Sequence, residues 1–381
     1  MNIRFFLLVI SLFFSTLQAI YFRNIGLAPL PIIGFFIAFF ISIKIKTSVV
    51  ERNFIFGVLI IVVLSLLIGL LNLEYLFDTH FYFPSLFGWL LFPFSVIAYR
   101  KAFKLYDFKK IEQIVSFVLI IHLAFFYTQY LLYTFFNIKL DYLYVLTGEQ
   151  QRMGAAKLKE FFNLIRATGL FSEPGSYSVY IYILVSIKLL IRKNIDILSI
   201  IGIASMFLSY SMTGVLMAFY FLGIYLFFTK YNMKKVIALF ISIIILVGIL
   251  ALKSEVFLGP IQERLLNIQE DGSASARFQG NISNFIASGL LFVGIGIGVL
   301  SDNIKATSAL LSGLFNMGVA LLSVFLLLSI NYIRKWSNSY FPILLLPPVL
   351  MSNISFNQII YTVFFAFLTI DFTNQRIRES I

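Results

Sequence analysis

The chain has 381 residues, 60% of them hydrophobic and only 12% charged, with a formal net charge of +12 and a mean hydropathy of +0.95. A soluble domain carries about a quarter charged residues, so this composition excludes a soluble globular enzyme and indicates an integral membrane protein. The surplus Lys and Arg is scattered through short loops, which speaks for membrane orientation and against a nucleic-acid partner. There is no Cys, and the only two His residues are His80 and His122. That removes disulfides, thiolate nucleophiles and thiolate metal sites, and leaves little for a His-based metal site, so no metal and no cofactor is expected.

Arg4 precedes an apolar run ending near Ala19. The run is longer than a signal-peptide core, and Leu17 breaks the small-x-small cleavage pattern, so it is taken as a first span. Further apolar runs fall near 25–43, 54–72, 81–99, 114–136, 176–191, 195–210, 213–229, 235–252, 306–330, 340–353 and 356–372, with the first near 3–22. About 20 apolar residues cross a bilayer, and the total is about twelve spans. Ser209, Ser211, Thr213 and Gly214 mark a break between the seventh and eighth. Pro347 and Pro348 are expected to bend the eleventh, because each removes a backbone donor.

Loop charge sets the orientation. Lys44, Lys46 and Arg52 follow span two; Arg100, Lys101, Lys104, Lys109 and Lys110 follow span four; Lys188, Arg192 and Lys193 follow span six. Lys230, Lys234 and Lys235 follow span eight, Arg334 and Lys335 follow span ten, and Arg376 and Arg378 lie in the tail. All share one side, which the positive-inside rule makes cytoplasmic, with both termini inside. The expected fold is an all-α polytopic membrane protein, one integral domain, with two long outer loops at about 137–175 and 253–305.

In the first outer loop Met153, Leu158, Phe161, Phe162 and Ile165 recur at roughly helical spacing, with Arg152, Lys157, Lys159, Glu160 and Asn163 largely opposite. This pattern suits an amphipathic helix on membrane lipid. In the second loop Pro260 suits a first helical position, and Ile261, Leu265 and Ile268 form a short apolar stripe. The stretch FVGIGIGVLSDN, with Gly294, Gly296 and Gly298, is expected to form a re-entrant or half-buried segment, since irregular backbone is tolerated where it lines a cavity. The loops supply Arg152, Arg166, Arg264 and Arg277. Arg offers phosphate a planar fork of donors, whereas the plainer role for any one of them is a lipid headgroup or a loop acid.

The stretch RATGLFSEPGSYSVY at 166–180, the break SYSMTG at 209–214, then GSASARFQGN and FVGIGIG, taken in this order, resemble the O-antigen polymerase and ligase superfamily. The resemblance implies a polytopic inner-membrane glycosyltransferase of the C-type membrane class. The polymerases of that family join undecaprenyl-diphosphate-linked oligosaccharide repeats at the periplasmic face; the ligases move finished polymer to lipid A core and usually carry a His in the large periplasmic loop. No His falls in the second loop here, which favours the polymerase. The family's essential loop arginines map onto Arg166, with Arg152 next, and onto Arg277, with Arg264 as the alternative.

By that resemblance, a hydroxyl of one lipid-linked repeat attacks the anomeric carbon of the growing chain, and the diphosphate departs. Arg277 and Arg166 would stabilise the charge developing on it. Glu173 is the first candidate for a base and Asp271 a weaker one; Glu173 equally suits pairing with Arg166 to hold the turn. His122, within span five, either faces the cavity or bonds a neighbouring helix in its neutral form. His80 sits beside Asp78 in a short loop. Tyr127, Tyr130, Tyr133, Tyr142 and Tyr144 form an interfacial aromatic belt or, more sharply, a sugar-stacking platform. A flippase for lipid-linked oligosaccharide is the main rival, but no repeat symmetry between halves is visible. A flippase and a chain-length regulator are the protein partners the resemblance implies.

Overall fold

The structure, a computed structural model, describes residues 3–17, 29–72, 79–147, 150–151, 153, 165–192, 194–228, 285, 289–297, 309–336, 344–351 and 358–370. Among the described residues every regular element is a helix: α1 (Ile3–Ser15), α2 (Pro29–Ser42), α3 (Val49–Leu71), α4 (Thr79–Phe103), α5 (Phe108–Phe136), α6 (Tyr142–Thr147), α7 (Pro174–Arg192), α8 (Ile197–Leu208), α9 (Met212–Phe228), α10 (Ala309–Trp336), α11 (Leu346–Met351) and α12 (Ile359–Leu368). Four of them, α3, α5, α7 and α10, are long and apolar enough to cross a membrane. A helix meets its own backbone hydrogen-bonding demand, which is why such sequences adopt it in lipid. The chain divides into two compact units, one made of 1–114 and 275–381, the other of 115–274.

The first unit packs α4 against α2, α3 and α12, and α10 against α3. Aromatic side chains fill the seams: Phe92 meets Phe325 and Phe365, and Phe54 stacks on Tyr332 with ring centroids 4.3 Å apart. Helix α3 begins with a capping box, in which Ser48 Oγ accepts from Glu51 N–H at 3.3 Å and Glu51 Oε2 accepts from Ser48 N–H at 2.7 Å. The other oxygen of Glu51 pairs with the Arg100 guanidinium, and Arg100 Nε donates to Thr369 O at 3.3 Å, at the end of α12. The loop charges had placed Arg100 outside the helices; instead α4 extends to Phe103 and buries it to 2% exposure. A cation is tolerated there because the carboxylate and a helix-end carbonyl replace its water.

The glycine stretch takes the irregular form its composition suggests. Residues 289–297 are turns, and 294–297 are buried. They dock into a break in α10, where Gly318 has φ 63° and ψ 178°. Ile295 N–H donates to Phe315 O at 2.7 Å, Val319 N–H to Leu291 O at 2.9 Å, and Ala320 N–H to Phe292 O at 3.3 Å. Ser65 Oγ of α3 donates to Asn316 O at 2.6 Å. The backbone groups released by the break are therefore taken up by neighbouring segments. Pro347 and Pro348 lie in the first turn of α11, a position that tolerates proline; residues 340–343 and 352–353 of the expected span lie outside the described residues.

The second unit is built round α7, which is buried along nearly its whole length and packs on α8 and α9. The break expected at 209–214 is present: α8 ends at Leu208, Tyr210 has φ 49°, and α9 starts at Met212. Lys188, expected in a loop, lies within α7 at 2% exposure. Its ammonium meets Asp196 Oδ2 at 2.9 Å and Ser116 Oγ at 2.7 Å, while Arg192 reaches the same Asp196 oxygen at 2.8 Å. Asp196 also caps α8 through Ser199 N–H at 3.0 Å and Ser199 Oγ at 2.5 Å. Burial alone would raise the Asp196 carboxyl; the Ser199 bonds and the Lys188 charge outweigh it and hold the group at about 2.

Candidate functional site

Helix α5 presents His122, Phe126 and Gln129 at intervals of four and three, which puts them on one face. The loop segment 165–173 lies along that face. Gly169 is left-handed, φ 59°, and a side chain there would sit 3.5 Å from Phe126 N and 3.7 Å from His122 O. His122 is fully buried, its ring 5.3 Å from that of Phe171. Phe171 in turn packs on Tyr177 and Tyr180 of α7, and Tyr177 stacks on Phe126 at 4.5 Å. His122 thus sits beneath the loop, against an aromatic wall.

Two buried amides join the limbs of the loop to α5. Gln129 Oε1 accepts from Thr168 N–H at 2.7 Å and Gly169 N–H at 3.0 Å. Gln129 Nε2 donates to Leu140 O at 2.7 Å and Gln151 Oε1 at 2.9 Å. Gln151 Nε2 donates to Gly169 O at 2.6 Å and Phe171 O at 2.9 Å. Asp141 caps α6 through Tyr144 N–H and also accepts Gln151 N–H at 3.0 Å. Arg166 N–H donates to Met153 O at 2.9 Å.

Arg166 and Glu173 are half-buried at the two ends of this tethered segment. Pro174 opens α7, and the Glu173 carbonyl accepts the first helical N–H, from Tyr177, at 3.1 Å. The Glu173 carboxylate therefore stands at a helix N-terminus, where the dipole favours negative charge. The hydroxyls of Thr168 and Ser176, both buried, have no hydrogen-bond partner among the described residues.

The structure brings two of the motif stretches together. Ser178 and Ser209 hydroxyls lie 3.1 Å apart, and Tyr177 OH donates to Ser205 Oγ at 2.7 Å. A side chain added at Gly175 would lie 3.5 Å from Ser211 Oγ, and one at Gly214 would meet Met206 O at 2.7 Å. The start of α7, carrying SEPGSYS, is thus seated on the SYSMTG break by serine hydroxyls and close backbone approach.

Of the site candidates from sequence, Arg166, Glu173 and His122 belong to this assembly. Arg152, Arg264, Asp271 and Arg277 lie outside the described residues, as do 154–164 of the amphipathic stretch. Gln129 and Gln151 were not among the sequence candidates. The available signal was Gln129 itself, an uncharged polar side chain within an apolar run, which needs partners in that setting. No family model, no curated protein and no solved structure matches this chain.

Proposed function

We propose that the chain is a polysaccharide polymerase of the bacterial inner membrane, with about twelve spans and both termini cytoplasmic. It joins undecaprenyl-diphosphate-linked oligosaccharide repeats at the periplasmic face. The observation that carries this is the seating of SEPGSYS on SYSMTG beneath a tethered loop that holds Arg166 and Glu173. Two of the stretches that carry the resemblance thereby belong to one local structure.

In this reading Arg166 and Arg277 bind the departing diphosphate, with Arg152 and Arg264 supporting the lipid-linked substrate. A guanidinium remains charged at any working pH and meets phosphate with two donors, so it lowers the barrier as negative charge grows on the leaving oxygens. Glu173 takes the proton of the attacking hydroxyl, Asp271 being the substitute. The sugar phosphate bond breaks as the new glycosidic bond forms, and the pair of electrons leaves with the diphosphate. The donor is already activated, so the reaction requires no nucleotide.

A flippase for the same lipid-linked oligosaccharide is favoured by one observation, the break in α10 at Gly318, because transporter sites often use discontinuous helices. Deleting the protein in its host and running the surface polysaccharide on a gel separates the readings. The polymerase reading expects a single-repeat band in place of the ladder. Loss of every repeat-bearing band, with lipid-linked repeats held inside, would replace it by the flippase; polymer retained on undecaprenyl diphosphate would replace it by a ligase.

A further inference from the structure

We propose that Gln129, acting with Gln151, is a positioning residue: it sets the outer loop on α5 and so fixes where Arg166 and Glu173 stand. The effect on polymer rests on the polymerase reading; the effect on loop placement does not.

An amide in an apolar span is costly unless its carbonyl and both N–H groups are bonded. Gln129 meets that demand wholly from the loop. Its oxygen takes the N–H groups of Thr168 and Gly169, and its nitrogen reaches Leu140 O and the Gln151 amide. Gln151 continues the chain to Gly169 O and Phe171 O. One side chain on a rigid helix therefore grips the descending limb at 140, the middle at 151 and the ascending limb at 168–169. With these bonds made, neither amide keeps an N–H for a ligand, which argues for holding rather than binding.

The grip is specific in direction. Thr168 and Gly169 need an acceptor, whereas Leu140 O and Gln151 Oε1 need a donor. Only an amide gives both from one planar end, so a carboxylate at 129 would set oxygen against oxygen. The bonded backbone begins two residues beyond Arg166 and ends two before Glu173. A shift of that backbone moves both groups, and misplacement of about 1 Å can cost about a hundredfold in rate.

The absence of native Cys makes any introduced thiol a unique reporter. Leu170, 5% exposed between the two carbonyls that Gln151 holds, is replaced by Cys in the full-length protein in membrane vesicles. Its labelling by a membrane-impermeant maleimide is compared with and without Gln129→Ala. Ala218→Cys, buried in α9, reports whether the unit stays folded. The expected result is at least about a tenfold rise in labelling at 170, with 218 still protected. Gln151→Ala should act alike, and the double variant should be no worse than either single, since both belong to one network. Polymer made by Gln129→Ala and by Gln129→Glu should fall together. Unchanged labelling at 170 overturns the grip. A rise at 170 with an intact polymer ladder leaves the grip but overturns its positioning role.

Discussion

At the scale of single residues, the tethered loop separates two roles for Glu173. As a base, its replacement by Gln should slow polymerisation by about 10² to 10⁴ fold. As a partner that only favours the α7 start, Glu173→Gln should leave the rate within a few fold, at a stability cost of about 0.5 kcal/mol. Rates measured on a purified lipid-linked repeat, beside thermal melts, decide between them. Arg277→Ala is expected to abolish polymer at a normal protein level; full-length polysaccharide from that variant would falsify the assignment. Arg166→Lys keeps a charge but loses the fork, so a loss of about 10² fold is expected. Asp196 offers a test unrelated to catalysis. Its carboxyl is held at about 2, below the usual 3.8. Its stabilising effect is therefore complete above the unfolded value and is lost as pH falls toward the folded one. Asp196→Ala should cost about 2 kcal/mol near neutral pH, through the lost cap and an uncompensated Lys188. That deficit should shrink between about pH 4 and about pH 2 in melts of the detergent-solubilised protein.

Among these residues, the place of Arg166 and Glu173 beside the start of α7 was legible, because Gly and Pro punctuate the edge of an apolar run. His122 was legible as an ionisable group in a span, but its place under Phe171 was not, since the contact joins positions 49 apart in sequence. Gln129 was not legible because its meaning lies in its partners, spread from 140 to 169, and a single amide carries no pattern. The charges misled at Arg100 and Lys188. Both stand at the end of an apolar run, as loop cations do, yet each is buried against an acid, Glu51 or Asp196.

Among the elements, apolar length and turn chemistry were the readable part. The break between α8 and α9 follows from two serines, a threonine and a glycine clustered where a longer helix would otherwise run on. The turns at 289–297 follow from alternating glycines. What could not be read is that α10 breaks at Gly318 to receive them, because a glycine inside a helix ordinarily costs only about 1 kcal/mol. Here a side chain at Gly318 meets both a forbidden backbone angle and the carbonyl of Phe292. Gly318→Ala should therefore destabilise the first unit by about 3 kcal/mol or more, whereas Gly223→Ala, with open space around it, should be neutral or stabilising. Melts of the two variants in the same detergent provide the comparison.

Across the whole molecule, the alternation of loop charge predicts that a fluorescent protein fused after the last residue matures in the cytoplasm, and that alkaline phosphatase fused there stays inactive. The opposite pair of results would invert the topology and move Arg166 to the wrong face for a periplasmic polymerase. The two units have a further consequence for synthesis. One is nested within the other, so its first 114 residues leave the ribosome well before the segment from 275 onward. At about 5–20 residues per second, the interval is on the order of ten seconds or more. During it, Asn316 O is not yet there to receive Ser65, and Arg100 lacks the carbonyl of Thr369, 269 positions downstream. The short, late-made α12 is thus a closing piece. Until it arrives, the Arg100 guanidinium lacks one of the partners that surround it in the finished protein.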